Sequence, residues 1–95
     1  MPPSKDAPKG FKYAAHTAWR RVENESIVLD LNSSVYYSLN DTASMIWEKL
    51  GKGESVEDIA AALADEFDVT EAEASKDVAK VVAMLRDEKL LVPAE

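Results

Sequence analysis

Residues 27–50 constrain this 95-residue chain more than any other part of its sequence. Ile27, Leu29 and Leu31 occupy alternate positions, and this period of two is typical of a strand with one buried face. The polar residues 32–34 supply turn chemistry, because short polar side chains can hydrogen-bond to their own backbone. Val35–Leu39 then brings β-branched and aromatic residues that suit a second strand. The segment therefore predicts a β-hairpin.

A helix is predicted directly after this hairpin. Asn40 or Asp41 can cap its start, since a short polar side chain can accept a hydrogen bond from a first-turn amide. Apolar residues then recur largely at helical spacing, at Ala43, Met45, Ile46, Trp47 and Leu50. A hairpin that continues into a helix, with tyrosines in its second strand, favours the capture of an extended peptide.

Two further helices are predicted in the second half of the chain. Ser55 and Thr70 each begin a sequence that resembles a capping box. The predicted buried positions of the second helix are Ile59, Ala60, Leu63, Ala64 and Phe67, and those of the third are Ala74, Val78, Val81, Val82 and Leu85. An extended tail at Leu90–Val92 is expected to close the core.

These elements predict an α+β fold, winged helix-turn-helix-like, with a three-stranded antiparallel sheet followed by three helices. Residues 17–22 supply the first strand, and the third strand is expected at an edge of the sheet. Residues 1–12 contain three prolines, three lysines and a glycine, a composition typical of disorder. We therefore expect a flexible N-terminal segment over residues 1–15 and a single domain over residues 16–93.

The charge is unevenly distributed along the chain. Residues 26–95 carry six basic and fifteen acidic side chains, a net charge of −9, against −7 for the whole chain. Such a surface repels nucleic-acid phosphates and attracts basic peptides or a basic partner. A DNA-binding winged-helix regulator is the rival hypothesis, but its recognition helix would be residues 71–89, whose four basic and five acidic side chains sum to −1.

Neither catalysis nor metal binding is expected. The chain has no cysteine and a single histidine, His16, which cannot form a structural metal site alone. The sequence has no glycine-rich phosphate loop and no nucleophile paired with a base, so we expect neither an enzyme nor a cofactor. It also has no apolar run near the ~20 residues of a membrane span. A cytoplasmic protein is the expectation.

The order and spacing of these short motifs is similar to that of PqqD-like proteins. These are recognition elements for the precursors of ribosomally synthesised and post-translationally modified peptides (RiPPs), and this chain most resembles their stand-alone members. The resemblance covers roughly residues 18–92, and it is carried by Val28–Leu31, Tyr36–Asn40, Ala43–Trp47, Ser55–Ile59 and Leu90–Leu91.

The resemblance implies a role and a site. The protein would bind the leader segment of a precursor peptide and present the peptide to a modifying enzyme, such as a radical SAM enzyme or a leader peptidase. In the family the leader pairs antiparallel with the third strand, in the groove between that strand and the third helix. By position, this implies a peptide-binding site formed by Val35, Tyr36, Tyr37, Ser38 and Leu39 of the strand and by Asp77, Lys80, Val81, Met84 and Glu88 of the helix.

Several alternatives stay open at the level of sequence. Tyr36 and Tyr37 point to opposite faces of the sheet, so only one of them enters the groove. Met84 either contacts leader side chains or covers the edge of the core.

A proline at Val35 or Tyr37 is expected to delete a donor to the added strand and abolish peptide binding. A third hypothesis is an adaptor that docks a partner enzyme, through the acidic second helix, without binding a precursor.

Overall fold

The computed structural model of the protein describes residues 10–93. Their elements in chain order are β1 Phe11–Tyr13, β2 Thr17–Val22, β3 Glu25–Asp30, β4 Val35–Leu39, α1 Asp41–Gly51, α2 Val56–Phe67, α3 Glu71–Asp87 and β5 Leu91–Pro93. Strands β2, β3 and β4 form an antiparallel sheet in that order, and β4 lies at an edge among the described strands. The predicted sheet followed by three helices is confirmed.

The buried face of β3 is not the apolar set that alternation indicated. Ser26, Val28 and Asp30 are buried, whereas Ile27 and Leu29 are only half-buried. Leu31 lies in the turn after the strand and is 55% exposed. The inner position of Val28 follows from its neighbours, because the register places it between Trp19 and Tyr37 on the helix side of the sheet.

A carboxylate is tolerated on this inner face because the hairpin turn satisfies it. Asp30 Oδ1 accepts hydrogen bonds from the backbone N–H groups of Asn32 and Ser33 at 2.9 and 3.2 Å. Burial raises the pKa of Asp30, but these two hydrogen bonds and the nearby His16 outweigh burial, so the pKa is lowered overall. The side chain therefore fixes the turn that leads into β4.

The helices begin where capping chemistry predicted. The side chain of Asn40, rather than that of Asp41, accepts the N–H of Ala43 at 2.9 Å and caps α1. Ser55 caps α2 and Thr70 caps α3, each accepting the N–H three residues further along the chain at 3.1 Å. Each cap satisfies one of the amides that have no partner within the helix.

The core lies between the inner face of the sheet and the three helices. Its members are Val28, Leu39, Ile46, Trp47, Leu50, Ile59, Ala60, Leu63, Ala74, Val78, Val82, Leu85, Leu90 and Leu91. Three predicted core positions of α2 and α3 lie at its border: Phe67 is 36% exposed at the end of α2, and Ala64 and Val81 are half-buried. The sequence therefore predicted the buried side of each helix correctly, but it included residues that lie at the border of the core.

A strand that the sequence analysis did not predict completes the fold. Residues 1–9 of the expected flexible segment lie outside the described residues. Beyond them, Phe11–Tyr13 forms β1 and pairs antiparallel with β5, which is the predicted extended tail. Tyr13 stacks on Trp47 at a centroid distance of 3.9 Å, and its hydroxyl donates to the Trp47 carbonyl at 2.7 Å. This contact fastens β1 to α1.

Candidate peptide-binding site

The backbone pairing of β3 determines which groups of β4 face the free edge. The N–H of Leu31 donates to the carbonyl of His16 at 2.8 Å, so these residues form a hydrogen-bonded pair next to Asp30 and its partner. Hydrogen-bonded and non-hydrogen-bonded pairs alternate along an antiparallel ladder. Asp30 therefore directs its N–H and C=O toward β4, and its carbonyl indeed accepts the N–H of Ser34 at 2.7 Å.

The same alternation continues along β4. Val35, Tyr37 and Leu39 lie opposite β3 residues whose backbone groups point toward them, so these three use their own N–H and C=O in the ladder. The N–H and C=O groups of Tyr36 and Ser38 point away from β3, to the free edge. The expectation that a proline at Val35 or Tyr37 would delete a donor to an added strand is wrong, because those donors already serve β3.

The two tyrosines of β4 lie on opposite faces of the sheet. Tyr36 pairs with Leu29 on the outer face and is 70% exposed. Tyr37 lies on the inner face and packs against the core. Its hydroxyl donates to Glu88 Oε1 at the C-cap of α3, with an oxygen–oxygen distance of 2.9 Å. Tyr37 is therefore the tyrosine that faces α3.

A hydrogen bond between Tyr37 and Glu88 links a side chain of β4 directly to the end of α3. It raises the pKa of the Tyr37 hydroxyl, chiefly because the carboxylate accepts its proton, with smaller contributions from desolvation and from the charges of Glu88 and Asp30. The hydroxyl is therefore protonated at neutral pH and holds the carboxylate at one end of the space between strand and helix.

The predicted helix residues share one flank of α3. At 100° per residue, Asp77, Lys80, Val81, Met84 and Glu88 fall within roughly 100° of one another around the helix axis. Val81 and Met84 are half-buried against the core, and Asp77 and Lys80 are exposed. The close backbone neighbours of β4 are β3 and α1 rather than α3. The side chain of Tyr37 spans the distance between the two elements through its hydrogen bond to Glu88.

The structure does not bring every predicted residue to this space. The side chain of Leu39 is only 2% exposed and belongs to the core, and those of Tyr36 and Ser38 point to the outer face. Tyr36 and Ser38 direct their backbone N–H and C=O groups, rather than their side chains, to the free edge. Val35 is 45% exposed at the turn end of β4. The role of all ten residues in peptide binding stays a prediction.

A metal-dependent or membrane-embedded site has no support in the described part of the chain. No cluster of three histidine, aspartate or glutamate side chains between residues 10 and 93 is placed to hold a metal ion. Over the same residues, no helix has the length and apolar character needed to cross a bilayer.

Comparison with protein families identifies the fold. The family model for coenzyme PQQ synthesis protein D (PqqD) matches residues 25–91. The chain belongs to the PqqD family. The match includes the β3–β4 hairpin and all three helices, so the PqqD-family region contains every element of the candidate site. No protein of established annotation matches the chain significantly.

Two solved structures share this PqqD-family fold. One is lasso peptide synthetase B1 complexed with the leader peptide; it is 30% identical, with a TM-score of 0.81, and the match covers 87% of this chain and 98% of that one. The other is TbiB1 in complex with the TbiA(beta) leader peptide; it is 25% identical, with a TM-score of 0.79, and the match covers 84% and 93% of the two chains.

Proposed function

We propose that this protein binds the leader segment of a ribosomally made precursor peptide and presents the precursor to a modifying enzyme. The free edge of β4 opposite the Met84 flank of α3 is the observation that carries the proposal. An extended peptide can pair with such an edge as an added strand. Membership of the PqqD family supports the proposal, and so does the likeness to two proteins solved with leader peptides.

The leader backbone would pair with β4 in an alternating pattern. Leader residues opposite Tyr36 and Ser38 would form hydrogen-bonded pairs, because these residues direct both backbone groups to the free edge. The leader residue opposite Tyr37 would form the closer, non-hydrogen-bonded kind of pair. Main-chain pairing supplies affinity with little selectivity for sequence, so selectivity has to come from alternate side chains.

The side-chain directions specify where selectivity arises. Side chains of the leader residues opposite Tyr37 and its inner-face neighbours would point toward α3, where Val81 and Met84 offer apolar contact. The flexible thioether of Met84 can adapt to different apolar side chains. The exposed charges of Asp77 and Lys80 border this contact. We therefore infer that the groove prefers apolar leader residues at alternate positions.

The protein would act without catalysis, in the cytoplasm, and together with a separate enzyme. A radical SAM enzyme and a leader peptidase are the two classes of modifying enzyme that we propose. A DNA-binding regulator is disfavoured by the net charge of −9 over residues 26–95, since phosphate contacts dominate DNA affinity. An adaptor that binds only the enzyme remains the second candidate because α2 carries an exposed acidic surface.

Fluorescence anisotropy with a labelled leader peptide tests the proposal. The leader would come from a precursor encoded beside the protein, and the core segment of that precursor serves as the control peptide. We expect saturable binding of the leader and none of the core segment. An unchanged anisotropy at a large excess of protein for two candidate leaders, together with binding of the enzyme, would favour the adaptor instead.

A further inference from the structure

A separate cleft of about 550 Å³ lies beside α3, away from β4. The start of α2 and the first residues of β1 form its other walls. The side chains that matter here are Val56 and Glu57 of α2, Phe11 of β1, and Ala79, Ala83 and Arg86 of α3. The proposed leader groove uses none of these residues, so leader binding assigns no role to this cleft.

The cleft and the leader groove lie on opposite flanks of α3. At 100° per residue, Ala79 and Arg86 are roughly half a turn around the helix from Asp77, Met84 and Glu88. The core-facing stripe of the helix lies between the two flanks. A partner in the cleft would therefore leave the edge of β4 accessible to a leader.

The shape of the cleft fits a helix better than an extended strand. Ser75, Ala79 and Ala83 are exposed at four-residue spacing, and their small side chains form a shallow row along α3. The distance between packed helices depends on the side chains at the contact, so such a row permits close packing. Val56 and Val82 add apolar surface beside it. Recognition of a helix in an apolar groove requires a surface of this kind.

The charges around the cleft are arranged with opposite signs on different walls. Residues 54–68, which contain α2, have six acidic side chains and no basic one, and Glu57 of this set lines the cleft. The guanidinium of Arg86 lies over the ring of Phe11, 5.6 Å from its centroid, and so carries a positive charge on the opposite wall. A complementary partner needs a basic side chain toward Glu57 and a carboxylate toward Arg86.

We propose that this cleft docks an amphipathic helix of the modifying enzyme. The helix places its apolar face on Ala79 and Ala83, a basic side chain against Glu57 and a carboxylate against Arg86. This proposal rests on the proposed function, because it assigns the enzyme to one flank of α3 and the leader to the other. The protein then bridges enzyme and leader without competition between them.

Two pairs of variants test the docking site. Ala79→Arg fills the cleft with a bulky cation, and Ala18→Arg makes the same change at an exposed position on the outer face of β2. Glu57→Lys reverses the charge of the acidic wall, and Glu73→Lys makes the same reversal in the first turn of α3, outside the cleft. Amide NMR spectra check that every variant is folded.

Affinity for the enzyme and affinity for the leader are measured separately, by biolayer interferometry with the modifying enzyme of the same precursor and by leader anisotropy. We expect Ala79→Arg and Glu57→Lys to raise the Kd for the enzyme by about tenfold or more, as for a central interface position. Their leader affinity stays at the wild-type value, and both control variants behave as wild type.

The outcomes separate this proposal from the proposed function. Wild-type affinity for the enzyme in both cleft variants overturns the docking site, as does a wild-type protein that does not bind the enzyme. Parallel loss of leader and enzyme binding in folded Ala79→Arg also overturns it, because the two flanks would not be independent. Failure of the wild-type protein to bind any leader contradicts only the proposed function.

Discussion

Tyr37 shows how a single residue of β4 serves both the fold and the candidate site. Its ring packs against the core, its backbone pairs with β3, and its hydroxyl reaches Glu88 at the end of α3. The ring therefore forms the floor of the space in which we place the leader. The hydroxyl closes one end of that space through a hydrogen bond between exposed groups.

Substitution of Tyr37 should separate these two contributions. We expect Tyr37→Phe to change leader affinity by no more than about threefold, since an exposed hydrogen bond contributes little net free energy. Tyr37→Ala also removes the aromatic floor, and we expect it to weaken binding by about tenfold or more, as is typical when an interface aromatic is truncated. Leader anisotropy measures both. Equal losses for the two variants would show that the hydroxyl, rather than the ring, determines affinity.

The pH dependence of stability provides a second test of Tyr37. Its pKa is raised in the folded state by the hydrogen bond to Glu88, so the folded protein holds this proton more tightly than the unfolded chain. The resulting stabilisation is complete below the unfolded tyrosine pKa of about 10 and is lost as the pH rises through the folded value. Urea unfolding at pH 8 and pH 11 should show a larger loss for wild type than for Tyr37→Phe. Identical losses would argue against the hydrogen bond.

Gly51 is a residue at which any side chain would disturb the packing of β1. A Cβ atom there would overlap the hydroxyl and ring of Tyr13, which stacks on Trp47. We expect Gly51→Ala to destabilise the protein by about 1–3 kcal/mol, as is usual for overpacking. Urea unfolding followed by tryptophan fluorescence measures this cost. Gly10→Ala is the control, because its Cβ would lie 3.4 Å from the nearest atom; an equal cost at both positions would contradict the account.

Among the elements, β4 is the one whose two edges differ in their hydrogen bonding. One edge of β4 is paired with β3. The other edge is free and presents the N–H and C=O groups of Tyr36 and Ser38. A substitution at Tyr36 or Ser38 can therefore remove a donor to an added strand while leaving the β3–β4 pairing intact, whereas a substitution at Val35, Tyr37 or Leu39 cannot. Proline is tolerated in an edge strand where its missing N–H would have faced away from the sheet.

Two proline variants of β4 should therefore behave differently. We expect Ser38→Pro to retain the fold and to weaken leader binding by about tenfold, because the leader loses one main-chain hydrogen bond and the neighbouring bonds are less well aligned. Val35→Pro removes a donor to β3 instead, so we expect a lower midpoint of thermal unfolding. Circular dichroism and leader anisotropy report on the two properties. Full leader affinity in a folded Ser38→Pro variant would contradict strand addition at this edge.

The sequence predicted elements whose signals are local. Thr17–Val22 and Val35–Leu39 were correct to the residue, and Ser55 and Thr70 cap their helices as expected. The prediction of which face of β3 is buried was wrong. Apolar side chains lie on both faces of this strand, so alternation alone could not show that Val28, rather than its neighbours, is buried.

Other features depend on tertiary placement. The pairing of β1 with β5 joins two three-residue strands at opposite ends of the described chain, and neither has a periodic signal of its own. Tyr37 and Glu88 are 51 positions apart, so their contact follows from the packing of β4 and α3. The two faces of the sheet could be predicted for Tyr36 and Tyr37, but the choice of the tyrosine that faces α3 could not.

At the scale of the whole molecule, the distribution of charge separates peptide recognition from DNA recognition. The net charge of −9 over residues 26–95 makes phosphate contacts unfavourable. We expect no mobility shift of a duplex DNA fragment even at low salt, where electrostatic binding is strongest. A shift that disappears as salt is added would revive the winged-helix regulator. The leader peptide, added in the same buffer, is the positive control.

Amide hydrogen exchange with and without the leader tests strand addition at β4 most directly. In the free protein, the N–H groups of Val35, Tyr37 and Leu39 face β3 in the ladder, and we expect them to exchange slowly. Those of Tyr36 and Ser38 face the free edge, and we expect them to exchange fast. Saturation with the leader should slow exchange selectively at Tyr36 and Ser38. Unchanged fast exchange at both residues in the saturated complex would contradict the account.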